Sequence, residues 1–248
     1  MDETETGTSY SATHKRRLIY GRRQGHRLHP RQAQRIATML PRLQPDLSLD
    51  DLSAWFDDGK AVPRLSQFAL EIGFGGGEHL AARAQSTKNI GYVGCEPFIN
   101  GVAKLLGHIE AQALDNVCVH HGDARDVLAA MPAASIAVAY LLYPDPWPKK
   151  RHHKRRFVNQ ENLHSLFRVL TPDAYFLVAT DIADYADWTL AAIRAHGGFS
   201  WQAKQRRDWM TPPAGWPGTR YEQKALAAGR VPHYLEFKRR AAIVPGQL

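Results

Sequence analysis

Apolar runs and amphipathic stretches alternate along most of the chain. Phe68–Ile72 is a short apolar strand, and Gly73-Phe-Gly-Gly-Gly77 separates it from a helix that runs from Glu78 to about Ala84. Tyr92–Cys95 predicts a second strand, ending at Glu96. Between Pro97 and Leu114 apolar residues recur every three or four positions (Phe98, Val102, Leu105, Leu106, Ile109), which places them on one helix face. Val117–His120 is a third strand, and Gly122-Asp-Ala124 opens a short helix through Leu128. Ser135–Leu142 is uncharged and aliphatic, the pattern of a fully buried strand. Helices follow over Glu161–Leu170 and Tyr185–His196, with a fifth strand at Tyr175–Ala179 between them. Phe199–Ala203 and Tyr234–Lys238 are the candidates for the last strands. Strands alternating with helices of this length predict an α/β fold, a doubly wound and mostly parallel sheet covered on both faces.

The first third of the chain lacks this alternation. Residues 1–13 are small, polar and acidic, the composition of a disordered tail. Residues 14–60 read as a basic arm with short helices, one over Arg31–Leu40. Eight Lys or Arg residues and no acid lie between Lys15 and Arg35. Residues 41–66 carry Pro41, Pro45, Pro63 and Asp57-Asp-Gly59, and read as loops around a short apolar piece near Leu52–Phe56. The regular domain occupies residues 61–248.

Charge changes the picture more than composition does. Lys and Arg number 32 against 24 Asp and Glu, a formal net charge of +8 with a pI near 9.6. That balance favours a polyanionic partner, nucleic acid before membrane. No apolar run approaches the roughly 18 residues of a spanning helix, and Met1-Asp-Glu-Thr-Glu is no secretory signal. A cytoplasmic protein is the expectation. The two cysteines, Cys95 and Cys118, lie in apolar segments and read as reduced core residues; no His/Cys spacing resembles a metal site.

The densest chemistry follows the fourth strand. Pro144 and Pro146 stop it and hold Asp145 between them in a stiff, extended backbone. Trp147 follows, and from Lys149 to Arg156 six of eight residues are Lys or Arg and two are His. A lone basic run is usually a solvated segment. Beside a rigid carboxylate and an aromatic face, it reads instead as the border of a reactive pocket.

In a sheet of this kind ligands collect at the carboxyl ends of the strands. Glu71 ends the first strand, Gly73, Gly75 and Gly77 allow close backbone approach, Glu96 ends the second strand and Asp123 follows the third. Glu96 is placed to bind both hydroxyls of a ribose. A glycine loop alone would also suit NAD, but the dinucleotide pattern needs glycine where this chain has Glu78, a poor neighbour for pyrophosphate at a helix start. Acidic strand ends accord better with a cationic cofactor lacking phosphate, S-adenosyl-L-methionine. Taken singly, Glu71 reads equally well as a structural acceptor and Asp123 as a helix N-cap.

These pieces together resemble the bacterial tRNA (guanine-7)-methyltransferases. The matching residues are Leu70-Glu-Ile-Gly-Phe-Gly-Gly-Gly77, Gly94-Cys-Glu96, Gly122-Asp-Ala124, the Pro144–Arg156 stretch, Thr180-Asp181 and Gly218-Thr-Arg-Tyr-Glu222, with Arg22-Arg-Gln-Gly25 in the arm. The resemblance spans residues 18–238 or so, and its Pro144–Arg156 motif is the specific one. It implies a class I methyltransferase domain that uses S-adenosyl-L-methionine on a guanine of the tRNA variable loop. It also implies cofactor contacts at Glu71, Glu96, Asp123 and Asp145, with Asp145 catalytic as well. Substrate contacts are implied at Lys149, Arg151, His152, His153, Lys154, Arg155, Arg156, Asp181, Thr219, Arg220, Tyr221 and Glu222. tRNA is the implied partner, with no obligate protein partner, as monomer or homodimer. Gly76, Pro148, Lys150 and His153 stand where family members are expected to vary.

Guanine's five-membered ring offers a nitrogen lone pair at neutral pH, so a strong general base is unnecessary. Alignment and a fixed carboxylate near the developing cation are what the reaction needs. Three other readings stay open on the residues alone: an amino-directed nucleic-acid methyltransferase, a small-molecule methyltransferase, and a non-catalytic RNA-binding protein. The order Pro-Asp-Pro-Trp weakens the first, the basic arm and run the second, and the retained acidic strand ends the third. Trp147 is a candidate stacking face for an extruded base or, equally, a strand-end core aromatic.

Overall fold

Seven strands form one sheet in the order β3-β2-β1-β4-β5-β7-β6. They are β1 Gln67–Ile72, β2 Ile90–Cys95, β3 Val117–His120, β4 Ile136–Leu142, β5 Leu170–Thr180, β6 Phe199–Trp201 and β7 His233–Arg239. β1 to β5 run parallel, and β7 lies antiparallel to both β5 and β6. Chain order reverses on either side of β1: β2 lies to one side and β4 to the other. The crevice between the carboxyl ends of β1 and β4 is therefore the switch point where such sheets bind ligands. This computed structural model describes residues 20–21, 23–57 and 65–246. The acidic tail, the arm residues Lys15, Arg16, Arg17 and Arg22, and the turn residues Asp58, Gly59 and Pro63 lie outside the described residues.

Burial on the two faces of the sheet follows the strand pleat. Leu70 and Ile72 of β1 face one core with α5 (Ala124–Ala130), α6 (Gln160–Val169), α7 (Ala183–His196) and a single 3-10 turn at Leu52–Phe56. Ala69, one position before Leu70, faces the other core, with α3 (Glu78–Ser86) and α4 (Ile99–Gln112). Successive residues of a strand point to opposite faces, so a sheet covered on both sides needs apolar residues at every position. Cys95 and Cys118 are free and buried. Among the described residues no helix is long and apolar enough to cross a membrane.

The expected helix over Arg31–Leu40 is two pieces, α1 Pro30–Thr38 and α2 Leu40–Leu43, with Pro41 at the start of the second. Leu170, expected as a helix end, instead opens β5, pairing with Ile136. The basic run after β4 is a 3-10 helix over Lys150–Arg155. Two helices were not apparent from apolar spacing: α8 Arg207–Met210 and α9 Arg220–Ala227. Only Glu222 and Ala225 of α9 are buried, which is too narrow a stripe to read as a helix.

The arm is strapped along α4. Ile99 N–H donates to the Arg23 carbonyl (3.0 Å), Gly25 N–H to Asn100 Oδ1 (2.7 Å) and Asn100 Nδ2 to the His26 carbonyl (2.8 Å). Arg35 pairs with Glu110 further along the same helix at 2.6 Å. These contacts carry Tyr20 and Gly21 to the switch-point crevice.

Candidate active site

The crevice holds a cavity of about 430 Å³. Its wall comprises Ile72, Gly73 and Gly75 at the end of β1, Glu96 and Phe98 after β2, Leu142 to Asp145 at the end of β4, and Tyr20, Trp147, Arg155 and Tyr221 from further away. An adjoining hollow of about 170 Å³ continues past Gly122, Asp123 and Asn162 and shares Tyr20, Gly73 and Arg155 with the first. A hollow of similar size, about 450 Å³, lies at the far sheet edge between Thr211, Pro213 and Glu236 and contains none of the sequence-predicted groups.

Gly73 and Gly75 adopt φ of +69° and +59°, a left-handed backbone that suits glycine. Gly101 lies so close behind that a Cβ there would be 2.1 Å from the Gly75 carbonyl oxygen. The loop is thus pressed onto the start of α4. Gly77, also left-handed, packs instead against Leu105, and no part of it lines the cavity.

Glu96 is 8% exposed, and its two oxygens accept from Gly75 N–H (2.7 Å) and Phe98 N–H (2.9 Å). Burial pushes its pKa up to about 7, against those two hydrogen bonds and with a further rise from the nearby Asp145 and Glu71 charges. Each carboxylate oxygen can accept a second hydrogen bond, so Glu96 has capacity for a ligand diol. Asp123 caps α5 through Arg125 N–H (2.9 Å), and the Arg125 Nε lies 3.0 and 2.9 Å from its two oxygens. It faces the second hollow as a neutralised pair.

Glu71 turns the other way. The pleat directs it to the same face as Ala69, where its carboxylate meets His79 Nδ1 at 2.7 Å and is 3% exposed. It does not reach the cavity wall, because Ile72 and Gly73 take that position. Its structural reading, as an acceptor inside the helix-covered layer, is the one the geometry favours.

Asp145 stands open at the cavity mouth. Its pKa is raised by partial loss of water around it. The turn that holds it is more contorted than two prolines alone imply. Tyr143 and Trp147 on either side have φ of +51° and +43°, conformations costly for bulky residues. What stabilises the turn is Arg156. It is 1% exposed; its Nε donates to the Pro146 carbonyl (2.9 Å), it pairs with Asp184, and its guanidinium lies 5.0 Å from the Trp188 ring centre. Arg156 therefore has no surface to offer an RNA. Arg156, which the resemblance implied as a substrate contact, is instead buried beneath the turn.

Lys149, Lys150, Arg151 and Lys154 are exposed, and His152 and His153 are half-buried. Partial desolvation, and then the surrounding Arg and Lys charges, lower the His152 pKa. Asp181, after β5, is paired with Arg230 away from the cavity wall. Thr219 and Glu222 form a capping box that starts α9: Glu222 N–H donates to Thr219 Oγ1 (3.0 Å) and Thr219 N–H to Glu222 Oε2 (3.1 Å). Glu222 also accepts from Trp216 Nε1 (2.7 Å) and Tyr234. These two residues are committed to structure. Tyr221 alone of this segment lines the cavity; its ring would lie 2.9 Å from a Cβ on Gly75. Arg220 flanks the Tyr221 ring, 5.4 Å from its centre. Sequence reasoning missed Tyr20, Gly21 and Phe98 at the wall; an aromatic amid basic residues was the available signal for Tyr20.

Residues 66–235 match the family described as a putative methyltransferase. A tRNA (guanine-N(7)-)-methyltransferase of Ruegeria pomeroyi is 51% identical over 231 residues, covering 90% of this chain and 95% of that protein. One from Azorhizobium caulinodans is 47% identical over 233 residues, covering 94% and 99%. Among solved structures, the 16S rRNA methyltransferase KamB shares the fold, with a TM-score of 0.53 at 19% identity over 71% of this chain and 89% of that one. An identity near one half over nine-tenths of the chain leaves one assignment: this chain belongs to the tRNA (guanine-N(7)-)-methyltransferase family.

Proposed function

We propose that the protein transfers a methyl group from S-adenosyl-L-methionine to the ring nitrogen at position 7 of a guanine in the tRNA variable loop. One observation carries the reading. Asp145 faces, across a cavity of about 430 Å³, the loop of Gly73 and Gly75 and the buried Glu96, and exposed cations follow it on the same turn.

The residues present fit the cofactor. The glycine loop is pressed back to leave room for it, Glu96 keeps lone pairs for ribose hydroxyls, and the second hollow beside Asp123 gives space for a base. S-adenosyl-L-methionine supplies an electrophilic methyl on a sulfonium. Asp145 holds negative charge where the acceptor ring becomes positive, and it also accepts hydrogen bonds from guanine's pairing edge. Lys149, Lys150, Arg151 and Lys154 bind phosphate and set the register of the RNA. No residue has to remove a proton before transfer, because the ring nitrogen carries a free lone pair at neutral pH.

The test is incubation with methyl-labelled S-adenosyl-L-methionine and bulk tRNA, followed by mapping of the modified base. Label at position 7 of a variable-loop guanine is expected. Label on an exocyclic amino group, or turnover of free guanosine as good as of tRNA, would overturn the assignment.

A further inference from the structure

Arg155 occupies an aromatic corner. The Tyr20 and Trp147 ring centres are 6.3 Å apart with planes inclined by 74°, so their faces meet as two walls. The Arg155 guanidinium carbon lies 4.7 Å from the Tyr20 centre and 4.8 Å from that of Trp147. His152 stands edge-on to Trp147 at 6.0 Å. The Arg155 Nε is enclosed yet meets no hydrogen-bond partner among the described residues. Aromatic faces hold this cation, and no directed bond at Nε anchors it. The corner opens on the catalytic cavity, whose wall includes Tyr20, Asp145, Trp147 and Arg155 together. Backbone of the arm passes so near that a Cβ on Gly21 would lie 3.5 Å from Asp145 Oδ2.

Resting on the function proposed above, we infer that this corner seats the acceptor guanine, with Tyr20 contacting the base and Arg155 standing in for it until RNA arrives. In the transfer, the lone pair of the ring nitrogen forms the new N–C bond. The S–C bond breaks with its electron pair left on sulfur, and no proton moves. Positive charge passes from the sulfonium to the purine, which becomes a planar cation as a guanidinium is. A corner that already accommodates a planar cation attracts the purine more strongly as its charge develops. Attraction that grows toward the transition state raises the rate and not merely the affinity. Arg155, once displaced, is free to pair with a phosphate beside the base. The arm thereby completes the site, because Tyr20 supplies one of the two walls.

The experiment uses the full chain, Tyr20→Ala and Tyr20→Phe. Binding of 7-methylguanosine and of guanosine is compared by calorimetry at mildly acidic pH, where the methylated ring keeps its charge. The wild type and Tyr20→Phe are expected to prefer 7-methylguanosine by about tenfold, and Tyr20→Ala to lose that preference, since a desolvated cation–aromatic contact contributes about this much. Single-turnover transfer at saturating tRNA should fall about tenfold in Tyr20→Ala and stay within about twofold of wild type in Tyr20→Phe. Equal or undetectable binding of the two nucleosides by wild type, or full-rate transfer by Tyr20→Ala, overturns the inference. A wild type that places no methyl at position 7 of guanine overturns the underlying function instead, a result read from the wild type alone.

Discussion

Arg155 and Arg156, adjacent in sequence, sit on the two sides of the Asp145 turn in different surroundings. Arg155 and Arg156 each lie between two aromatic rings: Tyr20 and Trp147 for the first, Tyr185 and Trp188 for the second. Arg156 also bonds the Pro146 carbonyl and Asp184, and it is buried to 1% exposure. For Arg155 no partner is found at Nε among the described residues, and it faces the cavity. Directed hydrogen bonds make the difference. A guanidinium with several hydrogen-bond partners is a strut, whereas one whose Nε meets only ring faces is, on the inference above, exchangeable for another planar cation.

The largest expected effect lies on the cavity side. Asp145→Asn keeps the shape and removes the charge facing the developing cation, so single-turnover transfer should fall by about 10²–10³-fold with tRNA affinity nearly intact. A variant that transfers at the normal rate would move the chemistry elsewhere.

Arg156→Met tests the supporting side. Its partner Asp184 is solvated, so no buried charge is stranded; the bond to Pro146 and the ring packing are lost. Urea denaturation should show a loss of about 2–3 kcal/mol. Arg155→Met, which loses only its ring contacts, should cost about 1 kcal/mol. Equal losses in the two variants would erase the distinction between them.

Neutralising Lys149, Lys150, Arg151 and Lys154 together should weaken tRNA binding while saturating tRNA restores most turnover, because uniform binding is what is lost. The slope of log K against log salt should become shallower by about 3, at roughly 0.7 per phosphate contact on single-stranded RNA. An unchanged slope would place the RNA on another face.

The smallest effect concerns Glu96, on the opposite wall. Its folded pKa near 7 lies above the ordinary 4.5, so the ligand-free protein is favoured at low pH, and that contribution is lost as pH rises from 4.5 through 7. Ribose hydroxyls donate to the ionised form, so cofactor affinity should move the opposite way, rising about tenfold from pH 6 to 8. Calorimetry across that range checks it, with Glu96→Gln expected to be flat. A flat wild-type profile would show that the carboxylate stays ionised throughout.

Apolar periodicity identified the parallel strands and most helices, because both faces of the sheet are covered and most residues of the inner strands are buried. Residue type located the glycine loop, Glu96 and the Pro144–Arg156 turn, since backbone conformation and charge demand those residues there. Which members of a motif face the ligand was not legible. Glu71 and Glu96 are both acids at strand ends, yet the pleat sends one to His79 and the other to the cavity. Thr219 and Glu222 read as binding residues and are a helix cap. Arg155 and Arg156 are identical in sequence terms, and only three-dimensional packing separates them. Tyr20 joins the site from more than a hundred residues away because the arm's hydrogen bonds to α4 bring it there. Composition and spacing thus determined the fold class and the placing of acids at strand ends beside a basic run, since these depend on local conformation and summed burial, while the reaction was implied only by the resemblance to a family. Tertiary structure decided each side chain's role, since a role depends on which partners remain for a group once its neighbours have taken theirs.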